Sequence, residues 1–286
     1  MHYNAHYRAH ESRREGVLIT QQEISRKAFQ ARKQDRVVEK DYVITWLLLG
    51  ISDSTLRNIL AFKGGTALKK AYFEDYRFSE DLDFTVLSNL EVDRLLELLS
   101  EVFSSLAGEV ALMFRTDDRK IEARADSLSL YVDFVGPLQG ALGSRNIKLD
   151  FTYSEDLVYP LKQRVISAHY SDCDDVSRSL NVYSLEEVLV EKLCALIGRT
   201  EPRDLYDVHF LLGSGGLDYQ SIAEGFKSKA SSKNVDPARL SQVLREREST
   251  LARLWETRLA LQVEPLPHFS QVLRETKRAL KKTGIE

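Results

Sequence analysis

The feature that most restricts this chain is an ordered pair of motifs, Lys63-Gly64-Gly65-Thr66-Ala67-Leu68-Lys69-Lys70 followed by Ser79-Glu80-Asp81-Leu82-Asp83-Phe84. Residues 58–62 read as a short buried strand that Gly64-Gly65 ends, 66–73 as a helix, and 84–87 as a second strand. Side chains alternate along a strand, so Asp81 and Asp83 share one face while Leu82 turns into the core. Two carboxylates side by side repel unless a cation lies between them. Oxygen donors of this kind select Mg²⁺ or Mn²⁺, ions that keep waters and bring phosphates with them. A double glycine between strand and helix lets the backbone approach a phosphate and aims the helix N-terminus at its charge. Thr66 can donate a hydroxyl or cap that helix, and Lys69 or Lys70 can face a phosphate tail. A nucleoside triphosphate is the substrate these parts imply. The alternative, in which Gly64-Gly65 is a plain turn and Asp81 pairs with Arg77, leaves the order of the motifs unexplained.

A third acid is expected, to hold the attacking hydroxyl's metal or take its proton. Asp150, in Ile147-Lys148-Leu149-Asp150-Phe151, is preferred over Asp133, in Leu130-Tyr131-Val132-Asp133-Phe134. A second constellation lies further on. Ser184 with Glu187 forms a capping box that starts a helix. Lys192 and Arg199 are seven residues apart and share a face, Pro202 interrupts the chain, and Arg203-Asp204-Leu205-Tyr206-Asp207 opens the next helix with both acids on one side. An exposed salt-bridge network explains this equally well when it is taken alone. Beside the first constellation it becomes a source of charge for the triphosphate or the acceptor, with the acids orienting Lys192 and Arg199.

Around these motifs the periodicity changes once. Residues 20–49 and 91–106 are helical, and 110–115, 127–135 and 146–153 read as strands, with 165–170 as a further edge strand. Beyond Ser184 helices are expected at 185–198, 203–213, 218–230, 237–263 and 268–282, with the seam near 171–183. The net charge of −3 gives no global nucleic-acid footprint, although 40 Lys and Arg leave room for a local one. Cys173 and Cys194 form no disulfide framework, no secretory signal opens the chain, and no apolar run reaches membrane length, so a cytoplasmic location away from membranes is expected. His2, His6 and His10 recur at four-residue steps, but no further ligand completes a site, and a polar arm is the expectation.

Phe62-Lys63-Gly64-Gly65-Thr66-Ala67-Leu68, Arg77 to Phe84, Glu191-Lys192 and Arg203 to Asp207 together resemble the AbiEii/AbiGii nucleotidyltransferase toxin family, which includes the MenT toxins. Val38-Glu39-Lys40-Asp41-Tyr42 resembles the helix that leads into its core, and the likeness spans residues 35 to 212. The resemblance implies an α+β fold: a DNA-polymerase-β-like nucleotidyltransferase core, with a mixed sheet flanked by helices, and a C-terminal helical domain. The change of period divides the chain into N-terminal helices plus this core in 1–175 and a helical domain in 176–286, to which Lys192 and Asp207 belong. The resemblance also implies a metal-dependent toxin of a toxin–antitoxin or phage-defence system, which moves a nucleotide from a triphosphate to an acceptor such as the tRNA 3′ end. An AbiEi-like antitoxin encoded nearby would be its partner. Carried over by motif, Asp81 and Asp83 match the metal-binding pair with Ser79 adjoining, Lys192 the essential lysine, and Asp207 the later acid with Asp204 close by. Gly65-Thr66 stands where the wider superfamily often has Gly-Ser. An antibiotic-type small-molecule nucleotidyltransferase shares these parts, and a binding protein could keep the fold without catalysis. A haloacid-dehalogenase-type phosphatase, using Asp81 and Asp83 with Asp172, Asp174 and Asp175, leaves Gly64-Gly65 unexplained.

Overall fold

The computed structural model describes residues 19–285, so the histidine arm at 1–16 lies outside the described residues. Thr20 caps α1 (Gln21–Ala31) by accepting from Glu23 N–H, and Arg32 in the left-handed region ends the helix. The continuous helix expected over 20–49 is therefore two, because α2 (Asp35–Asp53) starts afresh after that break. Next come β1 (Leu60–Lys63), α3 (Gly64–Ala71), β2 (Asp81–Val86), α4 (Val92–Val110), β3 (Met113–Ala123), β4 (Ser127–Val135) and β5 (Asn146–Thr152). β6 (Lys162–Val165) and β7 (Ser179–Val182) complete a seven-stranded mixed sheet of order β3-β4-β5-β2-β1-β7-β6.

The chain then becomes helical: α5 (Leu185–Gly198), α6 (Pro202–Gly213), α7 (Tyr219–Ser232), α8 (Leu240–Glu246), α9 (Glu248–Leu259) and α10 (Phe269–Thr283). Three further departures from the expected pattern stand out. The edge strand expected at 165–170 ends at Val165, and β7 lies in the segment expected to be a seam. Leu180 and Val182 point inward, an alternation of only two apolar residues that is too short to stand out. The helix expected at 237–263 is split at Arg247, whose backbone departs from helical geometry while its guanidinium donates to the carbonyls of Leu196 and Arg199.

Apolar packing divides into two clusters. One joins α1, α2 and α4 to one face of the sheet through Phe62, Leu82, Phe84, Leu149 and Phe151. The other is built by the C-terminal helices and takes Ala61, Leu68 and Tyr76 from the N-terminal half. Leu60 and Phe62 thus face one core and Ala61 the other, as strand alternation requires. Charged groups in the first core are paired. Lys70 donates to Asp41 at 2.7 Å and Thr45 at 2.9 Å, and Tyr170 also donates to Asp41. Glu39 holds Arg145 and the backbone N–H of Leu138. Among the described residues no helix is long and apolar enough to cross a membrane.

Candidate active site

The register of three strands builds the site. Asp83 lies opposite Lys63 on antiparallel β1 and opposite Asp150 on parallel β5, while Asp81 lies opposite Lys148. Registered neighbours project to the same face, so Asp150, Asp83 and Lys63 form a row across the sheet with Asp81 beside it. The glycine turn closes on this row. Gly64 has φ +79°, and a Cβ there would overlap the Asp83 carboxylate, so both backbone and contact demand glycine. At Gly65 a Cβ would come within 2.5 Å of Arg77 Nη2. The helix starts at Gly64, two residues before the expected position.

Burial pushes the Asp83 carboxyl up to about 6, and the charges of Asp150 and Asp81 add to this while Lys63 and Lys192 oppose it. Asp81 has Arg203 Nη1 at 3.8 Å. Asp150 accepts from Lys148 at 2.7 Å and from Ser129. Among the described residues no three His, Cys, Asp or Glu side chains form a ready metal cage, and Asp150 is bonded to Lys148 and Ser129. The donor set nevertheless suits a hard divalent ion, which takes one or two carboxylates and completes its shell with water and phosphate. The rival acid, Asp133, is buried between Arg115 and Lys120 at 3.2 Å each.

The second constellation forms a buried charge cluster against the first. Asp207 takes two parallel bonds from Arg77, at 2.7 and 2.8 Å, together with the Tyr76 hydroxyl and Lys192 at 2.8 Å. Burial opposes ionisation of Asp207, but Arg77 and Lys192 overcome it and hold the carboxyl well below its usual range. Asp204, also buried, accepts from Lys192 at 2.8 Å and from Arg199 at 2.7 and 3.1 Å. The acids therefore orient Lys192 and Arg199, which line an open cleft of about 750 Å³ with Lys63, Gly64 and Asp83. Arg199 reaches Asp204 from an extended C-cap, not from the helical stripe its spacing implied.

Other expected residues lie elsewhere or are already engaged. Lys69 sits over the Phe78 ring and donates to the carbonyls of Glu74 and Tyr76, in a separate hollow lined by α1, α2 and the 167–170 segment. Lys70 is bound to Asp41 in the core. Both lie beyond the first turn of α3, so neither follows the helix N-terminus toward the acids. Thr66 is buried and donates to the carbonyl of Asp81, tying α3 to the start of β2. Ser79 is half-buried in the segment leading into β2. Arg77 pairs with Asp207, not with Asp81. Asp172 is occupied by Tyr42 and Trp46.

Sequence reasoning missed Lys63 as a member of the site, and with it a cluster behind the cleft wall. Lys229 is wholly buried and meets Glu155 at 2.7 Å and Glu187 at 2.8 Å, while Lys233 meets Glu155 at 2.9 Å. Glu187 also accepts from the backbone N–H groups of Val158 and Tyr159, which fastens the 153–161 loop to α5 and α7. A lysine at a position that also keeps the apolar spacing of Ile222, Phe226 and Ala230 was the available signal.

A family profile described as the nucleotidyl transferase AbiEii toxin of type IV toxin–antitoxin systems matches residues 46–275. Among solved structures, MenT4, a nucleotidyltransferase toxin from Mycobacterium tuberculosis H37Rv, is 20% identical. That alignment covers 93% of this chain and 90% of that chain, with a TM-score of 0.69. JHP933 from Helicobacter pylori is 17% identical over 88% of this chain and 93% of that chain, with a TM-score of 0.55. At these identities the likeness is one of fold. No curated protein matches the chain.

Proposed function

Because this chain belongs to the AbiEii nucleotidyltransferase toxin family of type IV toxin–antitoxin systems, we propose that it transfers a nucleotide from a triphosphate to the 3′ end of tRNA in the cleft between sheet and helices. The observation that carries this reading is the close packing of Asp83 on Gly64, where any Cβ would overlap the carboxylate, so that glycine turn and acid pair read as one site. The α3 N-terminus and the Gly64–Thr66 turn receive the phosphates. Asp81 and Asp83 would hold Mg²⁺ or Mn²⁺, with Asp150 the third acid that could join them. Ions bound there supply positive charge to the phosphate oxygens and make the acceptor hydroxyl more acidic, as in two-metal phosphoryl transfer. The acceptor oxygen bonds to the α-phosphorus, its proton passes to Asp150, and the bond to the β-phosphate breaks to release pyrophosphate. Lys192, fixed by Asp204 and Asp207, balances charge that develops on the phosphates. Arg199 faces the cleft beside it.

In this reading the protein acts in the cytoplasm, arrests growth unless a neighbouring antitoxin gene is expressed, and serves in phage defence. The test is incubation with each labelled triphosphate and total tRNA in Mg²⁺. Labelled tRNA with wild type and none with Asp83→Ala is expected. Equal labelling by both proteins would overturn the role of the acid pair, and label on a small molecule alone would overturn the acceptor.

A further inference from the structure

Four cations line the cleft, and they differ in how firmly they are held. Lys192 lies 2.8 Å from both Asp204 and Asp207, Arg199 forks onto Asp204, and Lys233 is 2.9 Å from Glu155. Lys63 has Glu155 and Glu191 at 3.7 Å each, beyond hydrogen-bonding range. Glu155 is served at closer range by Lys229 and Lys233. The Lys63 ammonium is thus positioned by charge, and by the Tyr183 ring at 5.5 Å, while its three donors remain available to a stronger acceptor.

The row across the sheet shows which acceptor. Asp150 on β5, Asp83 on β2 and Lys63 on β1 stand in register, with successive strands spaced by about 5 Å. In-line displacement at phosphorus needs the entering and leaving oxygens on opposite sides. With the acceptor hydroxyl beside Asp150 and the α-phosphorus over the central acids, the leaving side falls over β1. We infer that Lys63 binds the leaving pyrophosphate portion of the triphosphate, its ammonium donating to the β- and γ-phosphate oxygens. This rests on the nucleotidyl-transfer reading above. Glu191, whose cations all lie 3.7–3.8 Å away, competes with the phosphates for Lys63.

The test measures, by titration calorimetry in Mg²⁺, the binding of inorganic pyrophosphate, each of the four nucleoside triphosphates and the matching monophosphates. Lys63→Met should weaken pyrophosphate and triphosphate binding tenfold or more and leave the monophosphate unchanged, while Lys63→Arg keeps most of the affinity. Glu191→Gln should tighten pyrophosphate binding, and that gain should vanish when Lys63→Met is added, because the acid acts through the lysine. Equal losses for monophosphate and pyrophosphate, no loss in Lys63→Met, or a Glu191→Gln gain that survives without Lys63 would each overturn the inference. If Lys63→Met unfolds, the Lys63→Arg and Glu191→Gln arms decide. A wild-type protein that binds no triphosphate would sink the transfer reading as well, whereas a Lys63→Met protein that transfers nucleotide normally would sink the Lys63 inference alone.

Discussion

Asp83, half-buried at the cleft, and Asp207, fully buried beside it, are placed in opposite states by their surroundings. Asp83 sits near two other carboxylates, with cations only at a distance, and its carboxyl is pushed up to about 6 by burial first and those charges next. Asp207 accepts four bonds from Arg77, Tyr76 and Lys192 and is held well below the usual range. The first keeps unspent capacity for a cation. The second has spent all of it on fixing Lys192 and Arg77. A site of this kind needs both, since a charge that must bind something new can be precise only if its neighbours are already satisfied.

Four substitutions would break or sharpen that contrast. The largest effect belongs to the sheet side: Asp83→Asn should lower nucleotide transfer roughly 10²–10³-fold. Its melting temperature in metal-free buffer should equal or exceed that of wild type, because a repulsion is removed. A large loss of stability would show that Asp83 is scaffold after all. Asp207→Asn should do the reverse, costing about 3–5 kcal/mol in urea unfolding by leaving Arg77 and Lys192 underpaired. Full stability with lost turnover would move Asp207 into the chemistry.

Lys229→Met comes next, with a cost of about 3 kcal/mol, because buried Glu187 loses its ammonium and Glu155 keeps only Lys233 close by. It also carries a pH signature. Burial pushes Glu155 up, but Lys229, Lys63 and Lys233 pull it down to about 2, below its unfolded value. A depressed carboxyl contributes stability that is complete above the unfolded pKa, about 4.3, and is lost as pH falls toward 2. Wild type should therefore lose stability across that window more steeply than Lys229→Met, as followed by urea midpoints at stepped pH. Parallel curves would remove Glu155 from the cluster's energetics. The smallest effect is Thr66→Val, about 1 kcal/mol from one lost hydrogen bond to the Asp81 carbonyl, seen as a small shift in the urea midpoint. A substitution with no effect on either stability or transfer would show that the tie between α3 and β2 does not hold the acids in place.

Much of the core could be read from local order. Strand, Gly64-Gly65, helix, strand and Asp81-x-Asp83 follow one another within a short stretch, and Ser184 starts its helix where the capping box placed it. Lys69 shows where such reasoning ends. Its neighbourhood in the chain points to phosphate, but the pitch of α3 turns it over Phe78 into another hollow. Nothing in either segment indicates that Arg77 and Asp207, 130 positions apart, bond to each other. β7 was too short to carry a legible alternation.

What the residues decided alone was periodicity, turn chemistry and which carboxylates share a face, because those depend on backbone geometry over a few positions. What only the tertiary structure decided was the state of each charge: Asp150 beside Asp83, Asp133 between Arg115 and Lys120, and Lys63 at the end of the row across the sheet. The reason is electrostatic. A carboxylate's behaviour is set by what stands within a few ångströms, and strand register and helix packing bring those neighbours from distant parts of the chain.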